Sequence, residues 1–202
     1  MSIPNSDKLV PLTLGESLWQ RVFTVAPLVI IGSREEDGRD NFAPKHLAMP
    51  LSWENHFGFV CTPRHATYHN VKRAGAFTVS YPRPTQALVT SLSAGPRTDE
   101  GTKPSLRLLD TVPARHVEGA FIAESYLFLE CRLDRVIDGF GQNSLIAAEI
   151  IAAYAADDCL RREDLDDNEL LAQAPLLAYL NWGRFASIDE SFAFPFLTGF
   201  ER

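Results

Sequence analysis

The nine residues from Thr62 to Asn70 bring together a strand end, a cation, a hydroxyl group and a predicted helix start. Free backbone N–H groups and the positive end of the helix dipole favour an anion at a helix N-terminus, and Arg64 can add paired, charge-assisted hydrogen bonds. Because each hydrogen bond to a charged partner contributes about 1.5–3 kcal/mol, such a segment can hold a phosphate group. The alternative, that Thr67 only caps the helix while Arg64 is solvated, is not excluded by spacing alone.

The other reactive side chains form no recognisable catalytic or metal-binding pattern. His65 and His69 lie four residues apart, a spacing found in metal-binding pairs, but no third ligand is evident in the sequence. Cys61 lies in an apolar run and is interpreted as a small buried hydrophobic residue. No glycine-rich nucleotide loop or nucleophile elbow is present in the sequence. We therefore predict no metal site and name no catalytic residue.

The charge balance excludes several classes of partner. The chain has 19 Lys and Arg against 26 Asp and Glu, a formal net charge of −7, so it has no general attraction to nucleic acid or anionic lipid. The longest apolar stretch, residues 144–156, is interrupted by Glu149 and is too short to span a bilayer. Three cysteines, an odd number, favour reduced thiols. These patterns predict a cytoplasmic protein without nucleic-acid or membrane partners.

The predicted phosphate segment must be positioned by the elements around it, beginning with a β-hairpin. An opening helix is predicted over residues 18–25 and a strand over residues 26–33. The turn Asp37-Gly38 leads from this strand to Asn41-Phe42-Ala43-Pro44, which predicts the second strand of the hairpin. Because Pro44 lacks a backbone N–H, we expect this second strand to lie at a sheet edge or a bulge.

The elements after the hairpin are predicted from shorter patterns. They are a strand at 57–61, a helix at 67–74 that Gly75 ends, a strand at 76–81 and a second short helix at 86–91. The region 95–104, rich in Gly, Pro and charge, is interpreted as a long surface loop of the kind that often binds ligands. Residues 124–137 and 144–155 predict a long β-hairpin, although the alanine-rich second arm is also compatible with a helix.

All 202 residues are predicted to form a single domain, with an N-terminal arm at residues 1–20 and an acidic helical or loop insertion at residues 157–175. The β-segments do not alternate regularly with helices, as they would in a doubly wound sheet. The pattern therefore indicates a mainly β fold with short helices, in the form of a β-barrel with helical decorations.

The order and spacing of these segments resemble those of a known family. A Pro-x-Val-Ile-type run leads through an acidic-Gly turn to Asn-x-Ala-Pro, then to Arg-x-x-Thr-x-x-Asn and a Gly-x-Phe-x-Val strand. In this sequence these are residues 27–31, 37–38, 41–44, 64–70 and 75–79. The series resembles the flavin reductase-like family of FMN-binding split β-barrels, of the flavoprotein oxygenase-like branch, over about residues 27–188.

The resemblance implies a split β-barrel of Greek-key type that binds FMN and works as a homodimer, with the flavin at the subunit interface. It implies that backbone near Asn41, Ala43 and Pro44 lines the flavin ring and ribityl chain, and that Arg64 and Thr67 hold the phosphate. Gly101-Thr102-Lys103 resembles the family's Gly-Asp-Lys turn near the cofactor. The cofactor-binding residues predicted in this way, including two that directly follow the lining strand, are Asn41, Ala43, Pro44, Lys45, His46, Thr62, Arg64, Thr67, Asn70 and Lys103.

The function implied by the resemblance is that of an FMN-dependent oxidoreductase. Electrons would pass from a reduced nicotinamide or another donor through FMN to flavin, oxygen or a small substrate, with NADH or NADPH as candidate co-substrate and an oxygenase as candidate partner. Asn143 stands where many nicotinamide-using members have His, which weakens the case for NAD(P)H but not for FMN. The alternatives are a non-catalytic FMN-binding electron carrier or redox sensor, and a split-barrel binding module without flavin.

Overall fold

A seven-stranded antiparallel sheet, flanked by a three-stranded and a two-stranded sheet, carries the fold in the computed structural model, which describes residues 8–15, 17–181, 183–196 and 199. The strands are β1 (Thr24–Pro27), β2 (Val29–Arg34), β3 (Asp40–Lys45), β4 (Ala48–Pro50), β5 (His56–Cys61), β6 (Ala76–Tyr81), β7 (Thr111–Pro113), β8 (Ala120–Ile122), β9 (Leu127–Phe140), β10 (Asn143–Ala155), β11 (Leu176–Asn181) and β12 (Arg184–Ile188). The helices are α1 (Ala66–Ala74), α2 (Ala87–Ser93) and α3 (Asp167–Gln173). The mainly β fold with short helices is thereby confirmed.

The order of strands in the large sheet is β3-β2-β6-β9-β10-β5-β4, and the three-stranded sheet has the order β1-β11-β12. The predicted hairpin is confirmed, since β2 and β3 pair antiparallel around a turn in which Gly38 has a φ of 82°. Pro44 lies on β3, at the edge of the sheet, as its missing N–H requires.

Strand β2 is buried on both faces, which accounts for its continuous apolar run. Val29 and Ile31 pack into one core with Phe57, Phe59 and other side chains of the large sheet. Ile30 faces a second, smaller core together with residues of β3 and β8. A strand covered on both sides loses the alternation of polar and apolar residues. Strand β2 is therefore the fixed element against which β3 and α1 are positioned.

Helix α1 follows β5 and leads into β6. It ends at Gly75, whose φ of 67° is the left-handed conformation that favours glycine at a helix end. Tyr68 and Val71 bury one face of α1 against the main core. The sequence prediction of a helix that Gly75 ends is confirmed, with the start one residue earlier than expected. The N-terminus of α1 lies shortly after the end of β5.

Two local predictions require correction. The opening helix expected over residues 18–25 is only a short 3-10 turn at Leu18–Gln20, after which β1 pairs with β11. The single strand expected over residues 26–33 is divided into β1 and β2, which belong to different sheets. The remainder of the predicted N-terminal arm includes residues 1–7 and 16, which lie outside the described residues.

The alanine-rich segment that the sequence left open between strand and helix is a strand. Residues of β10 pair with β9 along the length of the hairpin and with β5 on the other side. Ile146 and Ala148 are buried in the main core. No helix among the described residues is long and apolar enough to cross a membrane.

The carboxylate of Glu130, on β9, holds the loop between β7 and β8. Glu130 is fully buried and accepts hydrogen bonds from the backbone N–H groups of Arg115, His116 and Val117 and from the Tyr154 hydroxyl. Burial alone would raise the pKa of Glu130, but these hydrogen bonds together lower it below its usual value. The charged form is thus the stable form in the folded protein.

We expect Glu130→Gln to lower the free energy of unfolding by about 2–4 kcal/mol at neutral pH, because one amide oxygen cannot replace a carboxylate that accepts four hydrogen bonds. Tyr154→Phe, which removes one donor, should cost about 1 kcal/mol. Urea denaturation followed by circular dichroism measures both.

The pH dependence of the Glu130→Gln effect provides the control. A carboxylate whose pKa is lowered on folding stabilises the protein above its unfolded pKa, and this stability is lost as the pH falls through the folded pKa. The difference between wild type and Glu130→Gln should therefore shrink as the pH falls from about 5 towards 3. A difference that is constant over this range would contradict the assignment of the charge.

Candidate functional site

A cleft of about 620 Å³ opens between β3, the start of α1 and the loop that follows α2. Within the described part of the chain, no acidic side chain lines it. The residues that line the cleft, and by which we define it, are Asn41, Ala43, Pro44, Lys45, Arg64, His65, Ala66, Thr67, His69, Ala94, Gly95, Arg97 and Lys103. The edge strand of the sheet, a helix N-terminus and a surface loop therefore meet at one place.

The N-terminus of α1 forms one end of the cleft. The residue before the helix, His65, has extended backbone, and its side chain makes no capping hydrogen bond to the first turn. Ala66 and Thr67 open the helix and line the cleft. Among the described residues, the Arg64 guanidinium has no hydrogen-bond or ion-pair partner. Uncapped N–H groups beside a free guanidinium are suited to an anion such as a phosphate.

Thr67 does not cap the helix, because His65 holds the capping position, so the capping role that the sequence left open for Thr67 is wrong. Arg64 is exposed, as the same alternative expected. The side chain of Thr67 is buried, and its Oγ1 accepts a hydrogen bond of 3.3 Å from Nδ2 of Asn41. A hydroxyl that accepts one hydrogen bond keeps its own proton for donation. Thr67 can therefore donate to a ligand in the cleft.

Asn41 joins the separate walls of the cleft. Its Nδ2 donates to Ser33 Oγ as well as to Thr67 Oγ1, both at 3.3 Å, and its Oδ1 accepts from Arg97 at 3.0 Å. Asn41 is 1% exposed, so these bonds replace water at a buried amide. The orientation of Thr67 and that of Arg97 consequently depend on the same side chain.

Arg97 is a cleft residue that sequence reasoning missed. Besides Asn41, it donates to the carbonyl oxygen of Gly101 and forms an ion pair with Glu35. The sequence feature that could have identified Arg97 is its position in the long loop 95–104, which the sequence predicts to bind ligands. Nothing in the local sequence distinguishes it from the other charged residues of that loop.

Lys103 is a cation held inside the protein by backbone carbonyl groups. Its Nζ donates to the carbonyl oxygen atoms of Phe42 at 2.8 Å and Ser93 at 2.9 Å. Burial, together with the positive charges of Arg97 and Lys45, lowers the pKa of Lys103 to about 8. An anion in the cleft would relieve this repulsion and favour the protonated amine.

Three residues predicted for the site do not line the cleft. His46 stacks on Tyr179, with ring centroids 4.6 Å apart. The Oγ1 of Thr62 accepts a hydrogen bond of 3.4 Å from the backbone of Arg64. Asn70 is buried and donates to Ser33 Oγ at 3.3 Å. Thr62 and Asn70 therefore support the residues that line the cleft, and His46 packs outside it, after the end of the lining strand.

The other seven predicted residues line the cleft together. They are Asn41, Ala43, Pro44, Lys45, Arg64, Thr67 and Lys103. Four residues besides Arg97 and Ala66 were not predicted for it, namely His65, His69, Ala94 and Gly95. His69 contacts the Pro63 carbonyl oxygen through Nε2 at 2.7 Å, and no group of three potential metal ligands occurs among the described residues.

The cleft offers both positive charge and small, uncharged walls. Lys45, Arg64, Arg97 and Lys103 supply positive charge, while Ala43, Pro44, Ala94 and Gly95 offer small, uncharged walls. FMN can use both, because it carries a phosphate on a ribityl chain as well as a planar ring. The residues present therefore fit FMN, with Arg64, Thr67 and the start of α1 suited to its phosphate.

Comparison with protein families gives a match to the flavin reductase like domain over residues 22–187. The match covers β1 through most of β12 and includes the whole cleft. No curated protein sequence matches the chain.

Solved structures show the same fold at low sequence identity. The 2-nitrobenzoate 2-nitroreductase of Pseudomonas fluorescens has a TM-score of 0.77 and 18% identity, with 100% of this chain and 99% of that chain covered. A split barrel protein of Shewanella frigidimarina has a TM-score of 0.73 and 15% identity, covering 86% and 87%. An FMN-binding protein of Thermus thermophilus has a TM-score of 0.70 and 20% identity, covering 84% and 90%. These similarities confirm the split β-barrel.

We expect Arg64→Ala to weaken FMN binding by about ten- to a hundredfold, because the variant loses charge-assisted hydrogen bonds to the phosphate. Binding of riboflavin, which has no phosphate, should change less than about twofold. Quenching of flavin fluorescence on titration measures both affinities.

Arg132→Ala is the matched control for Arg64→Ala, because Arg132 lies exposed on β9, outside the cleft, and its removal changes the net charge equally. It should leave both affinities unchanged. Equal losses of FMN and riboflavin affinity in Arg64→Ala would show that Arg64 does not bind the phosphate.

We expect FMN affinity to fall about tenfold between pH 7 and pH 9, because Lys103, with a pKa of about 8, loses its proton over this range. Because the FMN phosphate binds the protonated amine more tightly than the neutral one, FMN affinity is highest below that pKa and declines above it. In Lys103→Arg, which stays charged, the decline should disappear. Riboflavin titrations over the same range are the control, and an equal decline for riboflavin would contradict the role of the phosphate.

Proposed function

The chain belongs to the flavin reductase-like family, and from this premise we propose that it is an FMN-dependent oxidoreductase. Electrons would pass from a reduced nicotinamide or another donor through bound FMN to flavin, oxygen or a small substrate. The observation that carries the proposal is the cleft, which is lined by a helix N-terminus without a side-chain cap, by four cations and by small uncharged residues. The Thermus thermophilus protein of the same fold is an FMN-binding protein, which supports the choice of FMN.

In the proposed mechanism the cofactor transfers the electrons, and the protein binds and orients the cofactor. Bound FMN supplies a ring that takes up two electrons and a proton from a donor and returns them to an acceptor. The protein binds the phosphate through Arg64 and Thr67, and Asn41 fixes the orientation of Thr67 and Arg97. No side chain of the cleft is required as a general acid or base. The positive charge of protonated Lys103 favours the phosphate.

A non-catalytic electron carrier or redox sensor is the second candidate, and Asn143 favours it. This residue is exposed at the start of β10 and does not line the cleft. It replaces the His that many nicotinamide-using members of the family carry. A chain without that His could take electrons from a partner protein instead. NADH or NADPH as co-substrate and an oxygenase as recipient of reduced flavin both remain proposals for this chain.

We further propose that the protein works as a homodimer in the cytoplasm. Large apolar side chains are exposed on the described surface, including Trp53, Phe23 and Val25, at 97%, 72% and 69%. Where such side chains join into one continuous patch, the patch is typical of an interface. Cys61, Cys131 and Cys159 are all free, which is compatible with a reducing compartment.

Visible absorption of the purified protein tests the FMN assignment. We expect the protein to retain FMN or to take it up when the cofactor is added, with the flavin bands near their usual positions. A colourless protein that also fails to take up added FMN would contradict the proposal. Separate titrations of the flavin-free protein with FMN and with FAD show whether the cleft binds one flavin more tightly than the other.

We expect NADH or NADPH, added under anaerobic conditions, to bleach the flavin band, because hydride transfer reduces the ring. Stopped-flow absorbance measures the rate. If both nucleotides leave FMN oxidised while dithionite reduces it, the protein has the second candidate function, that of a non-catalytic electron carrier or redox sensor.

A further inference from the structure

The carboxylate of Glu35 contacts a cation of the cleft from outside the cleft. Glu35 lies in the connection between β2 and β3 and does not line the cleft. It lines a smaller depression, of about 210 Å³, that adjoins the cleft and shares Asn41, Arg97 and Lys103 with it. The Glu35 side chain is 18% exposed and forms an ion pair with Arg97. Because Arg97 lines both spaces, it can contact Glu35 and a ligand in the cleft at the same time.

The guanidinium of Arg97 is held by three acceptors. Its Nη1 donates to the carbonyl oxygen of Gly101 at 2.5 Å, and its Nη2 donates to Glu35 and, at 3.0 Å, to Oδ1 of Asn41. A guanidinium has five N–H donors, so two of them are not used by the described residues and can serve a ligand. Of the three acceptors only Glu35 carries a charge, and charge-assisted hydrogen bonds are about twice as strong as neutral ones. The ion pair with Glu35 is therefore the strongest contact that fixes Arg97.

The charge of Glu35 also acts on Lys103. Burial and the charges of Arg97 and Lys45 lower the pKa of Lys103, and among the described residues Glu35 is the one that raises it. The one other acidic residue that lines the smaller depression is paired with Arg34 at 3.2 Å. Besides those already named, the charged or titratable residues that line the two spaces around Lys103 are Arg39, Asp40, Arg64, His65, His69 and Arg107. Glu35 therefore offsets positive charge at two of the four cations of the cleft.

We infer that Glu35 is a positioning residue of the flavin site, which fixes Arg97 in the wall of the cleft and offsets the charge of Arg97 and Lys103. The inference rests on the proposed function, because it gives Glu35 a role in the binding of FMN. While Arg97 is present, the carboxylate holds a cation that binds the ligand. Without Arg97, the same carboxylate is an unpaired negative charge near the cleft, and it repels the phosphate of FMN. The effect of Glu35 on FMN binding should therefore change sign when Arg97 is removed.

A double-mutant cycle of Glu35→Gln and Arg97→Gln tests the inference, with FMN affinity measured by quenching of flavin fluorescence. We expect Glu35→Gln alone to weaken FMN binding about three- to tenfold, because Arg97 loses its charged acceptor. In the Arg97→Gln background the same substitution should tighten FMN binding about threefold, because it removes an unpaired negative charge. Any result without this change of sign overturns the inference.

Asp37→Asn is the matched control, because it removes the same charge from the same connection between β2 and β3. Asp37 pairs with Arg39 and does not line the cleft, so its removal should change FMN affinity less than about twofold in either background. Equal effects of Asp37→Asn and Glu35→Gln would show a general effect of charge and overturn the inference. Riboflavin lacks the phosphate, so Glu35→Gln should not tighten its binding in the Arg97→Gln background.

A measurement on the flavin-free protein separates the inference from the proposed function. The sequence contains four lysines, so NMR spectroscopy of protein labelled with carbon-13 at the lysine ε-carbon can follow Lys103, whose signal is identified by its loss in Lys103→Arg. We expect Lys103 to lose its proton at a lower pH in Glu35→Gln than in the wild type, and at an unchanged pH in Asp37→Asn. An unchanged titration of Lys103 in Glu35→Gln overturns the inference even if FMN binds. If the titration shifts but the wild type fails to bind FMN, the FMN assignment is wrong and the effect of Glu35 on the two cations stands.

Discussion

The buried amide of Asn41 is the interaction on which the site depends. It connects β3 to β2 through Ser33, to α1 through Thr67 and to the loop after α2 through Arg97. A buried amide that loses a partner costs about 1–3 kcal/mol, so any arrangement that separates these elements is unfavourable. One side chain thereby holds an edge strand, a helix start and a surface loop in position, and the cleft is the space that they enclose.

Local signals explain why the elements around the cleft could be predicted from the sequence. The hairpin of β2 and β3 is specified by the Asp37-Gly38 turn, and the end of α1 by Gly75, each of which needs a backbone conformation that few other residues adopt. Arg64 and Thr67 could be identified because they lie close to a predicted strand end and a predicted helix start. In each case the information lies within about ten residues of the element that it specifies.

Long-range contacts explain what the sequence did not reveal. Arg97 reaches Asn41 across 56 residues of sequence, and no local pattern separates it from the other charged residues of its loop. The segment near Thr24 has a mildly amphipathic pattern, but its pairing with Asn181 in β11 makes it a strand. Packing against distant neighbours overrides weak local preferences of this kind. Asn70 likewise has the right spacing for a ligand contact but is turned inwards to Ser33.

Local concentration of charge allows an acidic protein to present an anion site. The chain has a net charge of −7, yet the described residues that line the cleft include four cations and no acidic side chain. Exposed charges farther than about 8–10 Å are largely screened by salt, whereas the partly buried Lys103 interacts strongly with Arg97 and Lys45. The Glu35 carboxylate, paired with Arg97, offsets part of that repulsion, and an anion in the cleft would offset more of it. The acidic protein can therefore attract an anion at this cleft without a positive charge overall.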